Sequence, residues 1–112
     1  MMYLDFTAGN KDYKLRLNTR AIVLLEKQLG CNPLAIFMGD GNETTVPTVT
    51  AMVTILHAAL QQYQHSISLE DTFSIFDTWL EDGHSTTDFL TVILELYKVS
   101  GIIKTEDAEK NA

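Results

Sequence analysis

The sequence predicts a mainly α, compact helical domain of about five helices with an N-terminal β-hairpin. Three observations carry that expectation. Apolar residues recur at helical spacing in several stretches, and cap chemistry brackets those stretches. Ahead of them, Tyr13-Lys14-Leu15-Arg16-Leu17 alternates apolar and basic residues behind turn chemistry. At 112 residues and 46% apolar, the chain can bury one core. Residues 1–103 are expected to form this single domain, and 104–112 a flexible charged tail.

The hairpin comes first. Tyr3-Leu4-Asp5-Phe6-Thr7 alternates in part, and Ala8-Gly9-Asn10-Lys11-Asp12 supplies residues that tolerate positive φ. Tyr13, Leu15 and Leu17 then share one face. A lone hairpin is marginal in water, so that face should lie on helices or pair with another chain.

Asn18 or Thr19 can cap a helix from Arg20 to Leu29, with Ile22, Leu25 and Leu29 inward and Gly30 as its stop. Asn32-Pro33 starts a second, shorter helix carrying Leu34, Ile36 and Phe37. Gly39-Asp40-Gly41-Asn42 reads as a loop, since no P-loop lysine follows and calcium-loop ligands are missing. A third helix lies within Thr45–Tyr63, capped by Thr45 or Thr48, with Val49, Met52, Val53, Leu56, Ala59, Leu60 and Tyr63 as its stripe. Ser68-Leu69-Glu70-Asp71 resembles a capping box for the fourth, with Leu69, Phe73, Phe76 and Leu80 on one face. Ser85-Thr86-Thr87-Asp88 repeats that signal for the fifth, which Gly101 ends. Ile102 and Ile103 are placed to fold back over its end.

Charge narrows the partners. A net charge of −7 disfavours nucleic-acid backbones and anionic membranes. It is unevenly spread: Lys11, Lys14, Arg16, Arg20 and Lys27 outnumber acids up to Met38, whereas seven acids face Lys98 alone from Ser66 to Ser100. The two halves can attract within the fold, or head-to-tail between copies as self-association. Cys31 is the single cysteine, so no internal disulfide forms and a reducing cytoplasm is expected; packing among small residues suits it better than reactivity. Asp5 interrupts the start and no apolar leader segment follows. No apolar run approaches the ~20 residues of a membrane span.

No catalytic, cofactor or metal constellation is expected. His57 and His65 are eight apart, unlike a helical metal pair, and no G-x-S-x-G elbow occurs. What the sequence does offer is surplus apolar helix. Around the Phe89, Ile93, Leu96, Tyr97 stripe lie Leu90, Val92 and Leu94. Ile75 with Trp79 flanks the stripe of the preceding helix. Glu81-Asp82 ends that helix, where the macrodipole disfavours acids and a cationic partner would favour them. Ile75, Trp79, Glu81, Asp82, Leu90 and Leu94 are therefore the candidate protein-binding residues, with core burial as the competing reading for the apolar four.

Several phrases give the chain a named likeness. Tyr13-Lys14-Leu15-Arg16-Leu17-Asn18-Thr19-Arg20, Leu24-Leu25-Glu26-Lys27-Gln28-Leu29-Gly30, Asn32-Pro33-Leu34, and the stretch Phe89-Leu90 through Glu95-Leu96-Tyr97 are similar to those of phage tail assembly chaperones. The resemblance is to the form found in long-tailed phages and prophages of Gram-positive bacteria, and it runs from Tyr3 to Ile103. It implies a non-enzymatic factor that binds the tape measure protein and helps recruit tail tube protein in the host cytoplasm. It also implies absence from the mature virion, and in related systems a longer frameshifted product. The alternative is a small acidic regulatory adaptor unrelated to tail assembly; the acidic helices argue against a helix-turn-helix regulator.

Overall fold

The computed structural model describes residues 2–37 and 46–104. Strands β1 (Leu4–Ala8) and β2 (Lys11–Leu15) lead into helices α1 (Thr19–Leu29), α2 (Val49–Leu60), α3 (Leu69–Glu81) and α4 (Asp88–Val99). A short 3-10 helix, Pro33–Phe37, lies between α1 and α2. Among the described residues there are thus four α-helices rather than five. The segment after Asn32-Pro33 is the difference. Its Ala35 N–H bonds the Asn32 carbonyl at 2.8 Å, and the Asn32 side chain accepts from Leu34 N–H at 2.9 Å. Such i to i+3 bonding suits a run this short. The loop at 39–42, Thr45 as a cap, and the tail beyond Lys104 lie outside the described residues.

The hairpin pairs antiparallel, with Leu4 opposite Leu15, Phe6 opposite Tyr13 and Ala8 opposite Lys11. Gly9 takes φ +63° at the first of the two turn positions, where side chains are disfavoured. Phe6, Ala8 and Leu15, with Leu17 beyond the strand, are buried against the helices, so the hairpin's apolar face is closed within the chain. Its outer edge is also occupied. The Gln64 amide accepts from Lys14 N–H at 2.8 Å and donates to the Lys14 carbonyl at 2.9 Å, as a neighbouring strand would. Arg16 N–H donates to the Ala59 carbonyl, and its guanidinium to the carbonyls of Met2 and Val99. Leu17 N–H donates to Ser100 Oγ at 2.9 Å.

Local signals place the helix ends. Asn18 caps α1 through Ala21 N–H, and Gly30 ends it in the left-handed region. Thr48 caps α2 through Ala51 N–H. Ser68 and Asp71 form a reciprocal capping box on α3. Ser85 and Asp88 make the same two bonds one turn ahead of α4. At the far end of α4, Gly101 N–H bonds the Lys98 carbonyl and Ile102 N–H that of Tyr97. With Gly101 at φ +81°, this is a Schellman closure, and Ile102 and Ile103 fold onto the core.

Helix α2 is the central element. It contacts α1, α3, α4 and β2, and Met52, Val53, Ile55, Leu56, Ala58, Ala59 and Leu60 are all buried. Around it pack Ile75, Phe76 and Trp79 of α3 and Phe89, Ile93, Leu96 and Tyr97 of α4. The latter four are the stripe that the spacing predicts. Tyr97 reaches past the core, and its hydroxyl donates to the Pro33 carbonyl at 2.9 Å, tying α4 to the 3-10 helix. The described residues contain one ion pair, Lys98 with Glu95 on α4, so the basic and acidic halves do not neutralise each other through direct pairing. Cys31 is exposed rather than packed among small residues: Gly30 turns the chain outward before Pro33 returns it to the core.

Candidate protein-binding surface

The six residues singled out in the sequence separate into three environments. Ile75 and Trp79 belong to the core and offer no partner surface. Trp79 stacks on Phe6 at 5.8 Å, meets Phe89 edge-on at 5.4 Å, and lies beneath His84 at 4.3 Å with an 8° interplanar angle. The hairpin's arrival on this side of α3 is the physical reason. Phe6 and Ala8 need an apolar lid, and Ile75 and Trp79 supply it.

Asp82 also has an internal role. Its Oδ2 accepts from Gly9 N–H at 2.6 Å, so an acid misplaced for the α3 dipole is well placed for the hairpin turn. Glu81 beside it is exposed. On α4, Leu90 and Val92 are half-buried against the core, which absorbs most of the surplus expected there. Leu94 remains 41% exposed. Of the six, Glu81, Asp82 and Leu94 are exposed, Asp82 already bonded to Gly9, and Leu90 is open in part; with Ile75 and Trp79 buried, the six do not form one surface.

The larger open apolar surface lies elsewhere, between the first turns of α2 and the first half of α3. Val49 (50% exposed), Leu69 (46%) and Phe73 (44%) rim a groove of about 330 Å³. Val53 and Phe76 line it from the core side, Thr50 and Thr54 from α2, and Asp77 from α3. Each helix is positioned by its own cap: Thr48 fixes where α2 begins, and the Ser68–Asp71 box fixes where α3 begins. The two Ser68 bonds, backbone first and hydroxyl second, hold the Asp71 carboxyl below its ordinary range. That keeps a negative charge on the first turn of α3.

Helical spacing puts Leu69, Phe73, Phe76 and Leu80 on one face of α3. Of these the structure buries Phe76, together with Thr72, Ile75 and Trp79. At about 100° per residue the apolar arc of this helix is far wider than one packing contact covers. The excess width was visible in the sequence, but which edge the hairpin would cover was not. Val49 likewise opens the α2 stripe one residue after the cap, before that helix reaches the core.

The groove can hold an aliphatic or aromatic side chain, or the apolar stripe of a helix, with a carboxylate at its edge. No described helix is long and apolar enough to cross a membrane. A family model described as a family of unknown function (DUF6096) matches residues 5–112. No curated protein and no solved structure matches. Because that match spans nearly the whole chain, the protein belongs to the DUF6096 family, whose function is unknown.

Proposed function

We propose that the protein is a non-enzymatic tail assembly chaperone that binds the tape measure protein in the bacterial host cytoplasm and helps recruit tail tube subunits. The observation that carries the reading is the groove between α2 and α3, where Val49, Leu69 and Phe73 stay open although a well-packed core lies directly beneath them. A stable monomer gains nothing from leaving a phenylalanine and a leucine side by side in water. An amphipathic helix laid across them buries them and presents its own stripe to the same groove.

The tape measure protein fits that role through the resemblance in Tyr13–Arg20, Leu24–Gly30 and Asn32-Pro33-Leu34. A long helical client needs its apolar stripe shielded until tube subunits arrive. The groove is small compared with a permanent interface, which suits a chaperone that must leave. Asp77 at the rim favours client segments with Lys or Arg beside the apolar stripe.

Co-expression tests the assignment. A tape measure fragment encoded near this gene should stay in the soluble fraction and co-purify when the chaperone is present. It should aggregate when the chaperone is absent or carries Phe73→Asp. A fragment that is equally soluble alone, and is never retained on the tagged protein, would remove tail assembly from the account.

A further inference from the structure

A second surface, on the opposite flank of α2, has the reverse chemistry. We infer that the cleft between α1 and the end of α2 is a separate docking site for an acidic amphipathic helix of a partner protein. It encloses about 410 Å³, with Ala21, Leu24 and Ala58 as its apolar lining and Arg20, His57 and His65 as the charged or chargeable groups on its wall. Among the described residues no carboxylate lines it.

The geometry of α1 concentrates this character. Arg20, Leu24, Lys27 and Gln28 fall within about 100° of arc on the exposed side, while Ile22, Leu25 and Leu29 turn inward. Glu26, the one acid of α1, lies about 160° from Leu24, on another face. Leu24 is 52% exposed and Val23 43%, and the two border the Arg20–Lys27 pair on either side around the helix. Among the described residues neither Arg20 nor Lys27 has a carboxylate partner, although the chain carries 15 acids against 8 basic residues. Unpaired cations beside exposed leucine, in an acidic protein, match a partner helix that alternates aliphatic and acidic residues.

The other lining groups are held in place. Asn18 Nδ2 donates to Gln62 Oε1 at 3.2 Å, and Gln61 Nε2 donates to the carbonyls of His57 and Ile67. The wall is thus set before any ligand arrives, and the flexible basic side chains close onto the partner's carboxylates.

The test uses the full chain and two fluorescent helical peptides of Leu and Ala, one carrying Glu and the other Lys. The Glu peptide should bind, weaken with added salt, and shift backbone amide resonances in 20–28 and 57–65. Reversing both cations, Arg20→Glu with Lys27→Glu, should lower its affinity about tenfold. Leu24→Asp should lower it with the helical circular dichroism unchanged, because Leu24 is not a core residue. Phe73→Asp should leave it unaltered, which separates this site from the α2/α3 groove. No binding of the Glu peptide, equal affinity in the charge-reversed protein, or equal binding of the Lys peptide at the same amides would overturn the proposal. So would displacement of the Glu peptide by a tighter-binding single-stranded oligonucleotide, which would mark the cleft as a phosphate reader.

Discussion

Three residues fix local geometry that the hydrophobic core alone leaves undetermined. Tyr97 is fully buried, and its hydroxyl satisfies the Pro33 carbonyl. Tyr97→Phe should cost about 1–2 kcal/mol in denaturant unfolding, since it leaves that carbonyl without a partner. Burial, and secondarily Cys31, pushes the Tyr97 phenol well above its ordinary value. The unfolded chain therefore releases this proton at lower pH than the folded one. Stability should be intact below about pH 10 and should fall as pH rises beyond it. Asp71 works in the opposite direction. Its carboxyl is held low by Ser68, so its contribution is present above the ordinary carboxylate range, near pH 4, and is lost as pH falls through the folded value. Gly9 is the third. With φ +63° and Thr78 Cγ2 3.0 Å from the position of an added Cβ, Gly9→Ala should destabilise by at least about 1 kcal/mol. Its N–H is also the group that anchors Asp82, so Asp82→Asn should loosen the same turn.

Helix α3 has two apolar sides with different fates, and paired substitutions distinguish them. Phe76→Ala, on the buried side, should cost about 3–5 kcal/mol. Phe73→Asp, on the open side three residues away, should stay within about 0.5–1 kcal/mol of the parent in the same unfolding experiment. The sequence shows both sides but ranks them in the other order, with Leu69 and Phe73 in the main stripe and Ile75 and Trp79 on its flank. Where a local rule decides, it was readable: Asn18, Ser68, Gly30 and Gly101 mark helix ends through their own side chains or positive φ, and the α4 stripe has one apolar face much stronger than its flanks. Where contact between distant segments decides, it was not. The burial of Ile75 and Trp79 depends on Phe6 and Ala8, about seventy residues earlier in the chain. The Asp82 side chain finds Gly9 across the same distance. The 3-10 geometry of Pro33–Phe37 turns on how few residues are available, and Pro at a first position suits either helix type. The groove is illegible in the sequence for the same reason: Leu69 and Phe73 look like core residues until the hairpin takes the neighbouring face.

At the scale of the whole molecule, α2 is packed by α1, α3, α4 and β2, and two of the clefts beside it differ in sign. One is apolar with Asp77 at its edge. The other is apolar with Arg20, His57 and His65 on its wall. On the two proposals made above, such a domain would hold two helices at once, or one helix in either groove according to its charge, without changing its own fold. The apolar surface left open at Val49, Leu69 and Phe73 is the central claim, because the proposed hold on a tape measure helix depends on it. Isothermal titration of a tape measure fragment into the parent protein and into the Leu69→Asp, Phe73→Asp double variant tests it most directly. The account predicts saturable binding to the parent and a loss of affinity of at least about tenfold in the variant, with helical circular dichroism retained. Equal affinity for the two proteins would contradict it.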